Sequence, residues 1–128
     1  MSQENVNVVR QAWDAHARHE NESAFRLYDP QIEIHDGLGV VYRGVVGVRE
    51  FFREYFEVMV DRSVEIEEWI DAGDEVIAVM HSWGRGKRSG VPVESHSFHV
   101  WTVREGKLAR LRIYQERSEA LEAVGLEE

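Results

Sequence analysis

The apolar positions of this chain change their spacing along its length, and the changes mark its elements. Over 3–19 they step by three and four, with Val6, Val9, Ala12, Trp13 and His16 on one stripe. That spacing predicts a helix, with Ser2 able to cap it and Glu4 in its first turn. A shorter helix is expected over 22–28, ending before Asp29-Pro30 because proline pushes the residue ahead of it out of the helical region. The run 32–36 alternates and predicts a strand. The third helix carries the strongest pattern, through Val48, Phe51, Phe52, Tyr55, Phe56 and Met59. So broad an apolar face needs a large partner, and a sheet is the natural one. From Asp61 the period falls to two. Val64, Ile66 and Ile70 mark one strand, and further strands are predicted over 76–84, 91–103 and 107–116. Residues 84–90 form a glycine-spaced hairpin tip, and a last short helix over 118–124 closes on Gly125.

Turn chemistry fixes which way the strands face. Arg104-Glu105-Gly106 suits a three-residue loop with Gly106 in the left-handed position. Such a loop pairs Val103 with Lys107 and sets Trp101 against Ala109, His99 against Leu111 and Ser97 against Ile113. Arg110 and Arg112 occupy one face of the last strand, so Leu111 and Ile113 take the buried one. Ser95, Ser97, His99 and Trp101 then point inward. An interior face with two serines and a histidine reads as a pocket lining. Asp36 shares a side with Ile32 and Ile34. A carboxylate in line with apolar residues points inward too, where a general acid or base would be placed. The plainer roles are a cap on the glycine loop 37–39 for Asp36 and a hydrogen-bonded core histidine for His99.

At 128 residues the chain makes one domain, 1–128. A net charge of −9 argues against nucleic acid and anionic membranes as partners. The basic tip of Arg85, Lys87 and Arg88 reads as a solvated hairpin end. The absence of cysteine removes disulfides, thiolate chemistry and sulfur metal sites. No stretch reads as a leader or a membrane span, so a cytoplasmic location is expected. Glu94 and His96 fall on one strand face and His99 on the other, and His16 with His19 would make only half a zinc site. No metal and no cofactor are therefore expected. If the hairpin closes with a two-residue Ser89-Gly90 turn, Trp83, His96 and Phe98 lie on the outer face. The apolar patch they form predicts a homodimer that buries Trp83, Phe98 and Tyr114.

Several segments carry a family resemblance: 5–13 with Trp13, Leu27-Tyr28-Asp29-Pro30, Ile34-His35-Asp36, Tyr42-Arg43-Gly44, Ile70-Asp71-Ala72-Gly73-Asp74, His99-Val100-Trp101-Thr102-Val103, Gly106-Lys107 and the ending 119–126. Together they resemble the SnoaL-like branch of the nuclear transport factor 2-like (NTF2-like) superfamily. The resemblance implies an α+β cone, a curved antiparallel sheet wrapped around helices with an internal pocket. Among its relatives the ketosteroid isomerases place their base where Asp36 falls. Where His99 falls they keep a protonated aspartic acid that donates to the oxyanion. Their two pocket tyrosines correspond to Ala12 and Phe52, so the hydrogen-bonding pair that holds a dienolate is not carried over.

The expected function is a cofactor-independent proton transfer, of isomerase, cyclase or dehydratase type, on a small apolar molecule bearing a carbonyl or hydroxyl. Asp36 would take the proton and His99 would donate to the oxygen. Trp13, Phe52, Met80 and Trp101 would supply apolar walls, with His16, Ser97 and Gln115 as further polar contacts. The alternatives are a non-catalytic module for a small hydrophobic ligand and a structural homodimer with a vestigial cavity.

Overall fold

The computed structural model describes residues 2–57 and 59–127, apart from the side chains of Ser2, Asn21, Phe56, Met59 and Val60. The proposed Ser2 cap and the Phe56 and Met59 share of the helical stripe thus lie outside what is described. Helix α1 (Ser2–Ala17) and the short α2 (Asn21–Phe25) precede strand β1 (Tyr28–His35) and the three-residue β2 (Val41–Arg43). Helix α3 (Gly44–Glu57) leads into four long strands, β3 (Met59–Ala72), β4 (Glu75–Gly86), β5 (Pro92–Arg104) and β6 (Lys107–Tyr114). Helix α4 (Arg117–Ala123) ends the order. The strands make one sheet in the order β2-β1-β6-β5-β4-β3, and it does not close. All neighbours are antiparallel except β1 and β6. This is the expected α+β cone.

β1 begins at Tyr28, ahead of the predicted strand, and runs through Asp29-Pro30. Proline cannot donate to a ladder, and Pro30 falls where the β1–β6 pairing is irregular, between Tyr28 and Glu33. Asp29 accepts the Gln31 N–H at 2.8 Å, which steadies the break. β2 was not foreseen, since three half-exposed residues carry no pattern.

The helices fill the concave side. Val6, Val9, Ala12 and Trp13 of α1 and Val48, Phe51 and Phe52 of α3 pack with Ile32, Ile34, Ala78, Met80, Trp101 and Leu111 of the sheet in one core. Fully burying residues of this size stabilises by roughly 1.5–3 kcal/mol each. On the convex side α4 lays Ala120 and Leu121 on Ile77, Val79, Phe98 and Val100, with Tyr114 at the edge. That corrects the expected outer patch: Phe98 is buried by the chain's own last helix, which leaves Trp83 and His96 as its exposed aromatic groups.

Both hairpins differ from expectation by the same amount. At β5–β6 the loop is a two-residue turn, Glu105-Gly106, with both residues at positive φ and Arg104 paired with Lys107. Ala109 is then an extra residue, because Thr102 pairs with Arg110 and Val103 with Leu108. The bulge restores the parity. Trp101 faces Leu111 and His99 faces Ile113, two residues from the predicted pairing but on the predicted side. At β4–β5 the loop spans 87–90: Gly86 accepts the Gly90 N–H and donates to Val91 O, both at 2.9 Å. His81 therefore faces His96, and Trp83 faces Glu94.

Candidate functional site

His99 is the most unusual group in the interior. It is 1% exposed, on the concave face of β5, with the rings of Trp13 and Tyr55 edge-on at 6.3 and 6.2 Å. Neither ring nitrogen has a hydrogen-bond partner among the described residues. Buried polar groups are nearly always paired, and an unpaired one costs about 1–3 kcal/mol. Burial holds this imidazole down to about 3, and the positive charge of Arg62 pushes the same way. His99 is thus neutral at physiological pH. Arg62 lies over the Tyr55 ring at 3.8 Å and donates to the Tyr55 carbonyl, while burial raises the Tyr55 phenol above its ordinary value.

A series of ring contacts leads outward from His99. Trp13 touches Phe52 at 6.2 Å, and Phe52 stacks on His16 at 3.8 Å and 18°. His16 is buried and shares a 2.9 Å hydrogen bond with the Tyr28 hydroxyl, whose ionisation burial strongly opposes. Beyond His16 and Phe52 lies a cavity of about 300 Å³, also lined by His19, Phe25, Arg49, Arg53 and Glu57. It opens at the rim where α1, α2 and α3 meet. His16 and Phe52 are its floor and also the outer wall of the aromatic core.

Asp36 sits just past the end of β1, half-buried. Its Oδ1 accepts the N–H groups of Leu38 at 2.7 Å and Val40 at 3.1 Å, so it caps the glycine loop. Gly37 holds φ +83°, and a Cβ there would meet Ile113 O at 2.6 Å. Because His35 pairs with Arg112 and Ile113 with His99, Asp36, one residue past β1, and His99 lie on either side of Ile113 in the strand order. Two strand spacings put their backbones about 10 Å apart.

The other predicted residues divide. Met80 and Trp101 are buried at 1% and 2% in the same core. Ser97 is only half-buried and Ser95 exposed, because β4 and β5 run on past the helices toward their hairpin tip. There Ser95 bonds Ser82 at 2.9 Å and takes no part in the interior. Gln115 is exposed, since β6 ends at Tyr114 and the chain turns away into α4. Tyr28 and Tyr55 belong to the site and were not singled out. Tyr55 has the helical spacing of Phe52, and Tyr28 would have needed β1 to begin earlier. On the convex face Glu67, His81 and His96 converge, a set concealed by the two-residue difference in register.

No helix among the described residues is long and apolar enough to cross a membrane. Comparison with curated proteins finds no match. Solved structures match over most of the chain. An NTF2-like protein from Burkholderia thailandensis E264 is 28% identical, with a TM-score of 0.76, 86% of this chain covered and 88% of that one. A candidate SnoaL-like polyketide cyclase from Jannaschia sp. CCS1 is 18% identical, with a TM-score of 0.81 and 97% and 93% coverage. A protein from Catenulispora acidiphila with a ketosteroid isomerase-like fold, in complex with trimethylamine, is 18% identical, with a TM-score of 0.73 and 93% and 92% coverage. The family of SnoaL-like domains matches residues 9–111. This chain is a member of that family.

Proposed function

We propose that the chain binds a small apolar molecule bearing a carbonyl or hydroxyl inside the cone and moves a proton on it without a cofactor. One observation carries the reading. A fully buried histidine with both nitrogens unpartnered among the described residues is costly unless something bonds to it. A ligand oxygen within reach of the His99 N–H would supply the missing partner. Being neutral, the imidazole donates a hydrogen bond to the oxygen where charge develops, without giving up its proton. The Oδ2 of Asp36, which takes no part in the two loop bonds, would accept the proton at the other end of the molecule. Trp13, Phe52, Met80 and Trp101 give the apolar walls. The core is closed around His99, so entry proceeds from the rim cavity by displacing the stacked His16–Phe52 pair.

Binding without turnover is a second reading, favoured by the engagement of Asp36 Oδ1 in its loop. Both readings require contact at His99. The test is a thermal-shift screen of small apolar ketones, enols and alcohols, followed by ¹⁵N spectra of the histidine rings with each compound that binds. A shifted His99 ring supports the proposal. A tight binder that leaves the His99 ring unmoved refutes it.

A further inference from the structure

On the convex face, away from the core, three neighbouring strands bring two imidazoles and two carboxylates together. His81 of β4 faces His96 of β5, and their rings stack at 4.4 Å and 2°. In β3 the register shifts between Ile66 and Glu68, leaving Glu67 as an extra residue. Freed from the ladder, Glu67 reaches the far histidine, with Oε1 3.2 Å from His96 Nε2. Glu94 lies two residues before His96 on the same face and brings Oε2 within 3.3 Å of His81 Nε2. The His81 nitrogen is sheltered from solvent, and although close to Glu94 it is not aligned for a hydrogen bond. The nearest ligand atoms of Glu67, His81 and His96 all lie within 4.8 Å of one another.

We infer that Glu67, His81, Glu94 and His96 bind one divalent transition-metal ion of the zinc class. Tetrahedral zinc with nitrogen and oxygen ligands at about 2.0–2.2 Å keeps its ligands roughly 3.4 Å apart. Among Glu67, His81 and His96 the present spread requires shifts of about an ångström. The parallel imidazole planes must also rotate to aim at one point, and Glu94, outside that set, must swing further. The exposure of Glu67, Glu94 and His96 allows these movements. Two imidazoles select zinc, cobalt or nickel over calcium and magnesium, which prefer oxygen alone. The two carboxylates neutralise the ion, and the chain's charge of −9 favours cation binding further. The ion would tie β3, β4 and β5 together at the part of the sheet that α4 leaves uncovered. Trp83, 4.8 Å from the His81 ring, would shield one side.

The experiment uses the untagged full chain, freed of metal with a chelator and titrated with Zn²⁺ by calorimetry and with Co²⁺ by visible absorption. The expected result is one saturable equivalent per chain, a Co²⁺ spectrum of four-coordinate intensity and a higher melting temperature that chelator reverses. His96→Gln and Glu67→Gln should each weaken Zn²⁺ binding by at least the roughly 10–100-fold that loss of a ligand's supporting partner costs, leaving the melting of the metal-free protein unchanged. His35→Gln removes a different histidine–carboxylate pair, that with Glu33, and should bind as the parent does. Zn²⁺ should move the His81 and His96 ring resonances and leave His99 in place, a readout that needs no variant to fold. The absence of saturable binding, full affinity in His96→Gln, loss of binding in His35→Gln, or half an equivalent per chain would each overturn the four-residue site.

Discussion

His96 and His99 lie three residues apart on one strand and face opposite ways. His99 points into the concave core, 1% exposed, with no partner for either nitrogen among the described residues. His96 points out from the convex face beside Glu67, with a second imidazole stacked on it. The same side chain is therefore held neutral in one place and set among carboxylates in the other. Strand parity decides which. Core packing shelters His99 from water, and the nearby Arg62 charge opposes its protonation, so a neutral hydrogen-bonding group on a ligand is the partner that suits it. On the convex face the carboxylates are present and exposed, as the proposed cation site requires. A histidine's chemistry in this chain follows from its side of the sheet, and the experiments below act on that difference.

The widest gap should be in packing. Trp101 is 2% exposed on the concave side, whereas Trp83 is 39% exposed on the convex side. Trp101→Ala should cost about 3–5 kcal/mol, and Trp83→Ala about 1 kcal/mol or less, both measured by urea unfolding. Similar losses would mean that the convex face is as tightly packed as the core.

The next effect is smaller and depends on pH. His99→Leu keeps the volume and removes the unpaired nitrogens, so at pH 7 it should stabilise the ligand-free protein by about 1–3 kcal/mol. The sign with pH follows from its depressed value in the folded state. An unfolded histidine titrates near pH 6.5, while folded His99 is held down to about 3. Below about pH 6.5 the unfolded chain takes up a proton that the folded chain refuses. Parent stability should then fall by up to about 1.4 kcal/mol per pH unit between about 6.5 and 3 from this group alone. His99→Leu lacks that term, so its advantage should widen from pH 7 to pH 5. A narrowing advantage would show that His99 is charged and paired when folded.

Gly37 and Gly39 test how firmly the Asp36 loop is seated against β6. Both hold positive φ, but a Cβ on Gly37 would meet Ile113 O at 2.6 Å, whereas at Gly39 it would meet nothing within 4 Å. Gly39→Ala should cost about 1 kcal/mol for its backbone conformation alone. Gly37→Ala should cost about 1–2 kcal/mol more, because the colliding atom is backbone and cannot swing aside. Thermal melting of both variants measures the difference. Equal losses would mean that the loop is not seated against β6.

Face parity was legible in the sequence where charge and apolar residues alternate strictly. Arg110 and Arg112 against Leu111 and Ile113 marked the buried face of β6, and the expected three-residue turn carried that parity to His99 and Trp101. It holds because the shorter turn and the Ala109 bulge offset each other. Register itself was hidden. Glu105 takes a left-handed conformation that its residue type does not advertise, and Ala109 gives no sign of its bulge. The loop 87–90 is two residues longer than a Ser89-Gly90 turn. With the shorter turn Trp83 would face His96 and the two histidines would not meet. The convergence of Glu67 with them also needs the β3 bulge, which moves the concave phase from Val64 and Ile66 to Trp69. In the sequence it is masked by Ile70, which continues the even-numbered pattern. Helix α4 was readable as a helix, but nothing in its residues said that it would lie on Phe98. Asp36 was readable both as an inward carboxylate and as a loop cap, and the structure gives it the second role without removing the first.

The smallest stability effect should come from Asp36 itself, and that is what makes it informative. Asp36→Asn keeps an Oδ1 that can accept the N–H groups of Leu38 and Val40, and asparagine is a nearly equivalent cap. Stability should move by no more than about 0.5 kcal/mol, and the loop geometry should persist. Affinity for a ligand held at His99 should also change little. Proton transfer is another matter, because an amide has no proton acceptor of comparable strength. If Asp36 is the base, turnover of the first true substrate should fall by about two to four orders of magnitude. The loss should appear in kcat rather than KM, since the missing interaction is made in the transition state. Full turnover in Asp36→Asn, with binding still dependent on His99, would leave a pocket that binds without using this carboxylate. The cap would then be the whole role of Asp36, and His99 would remain the group that holds the ligand.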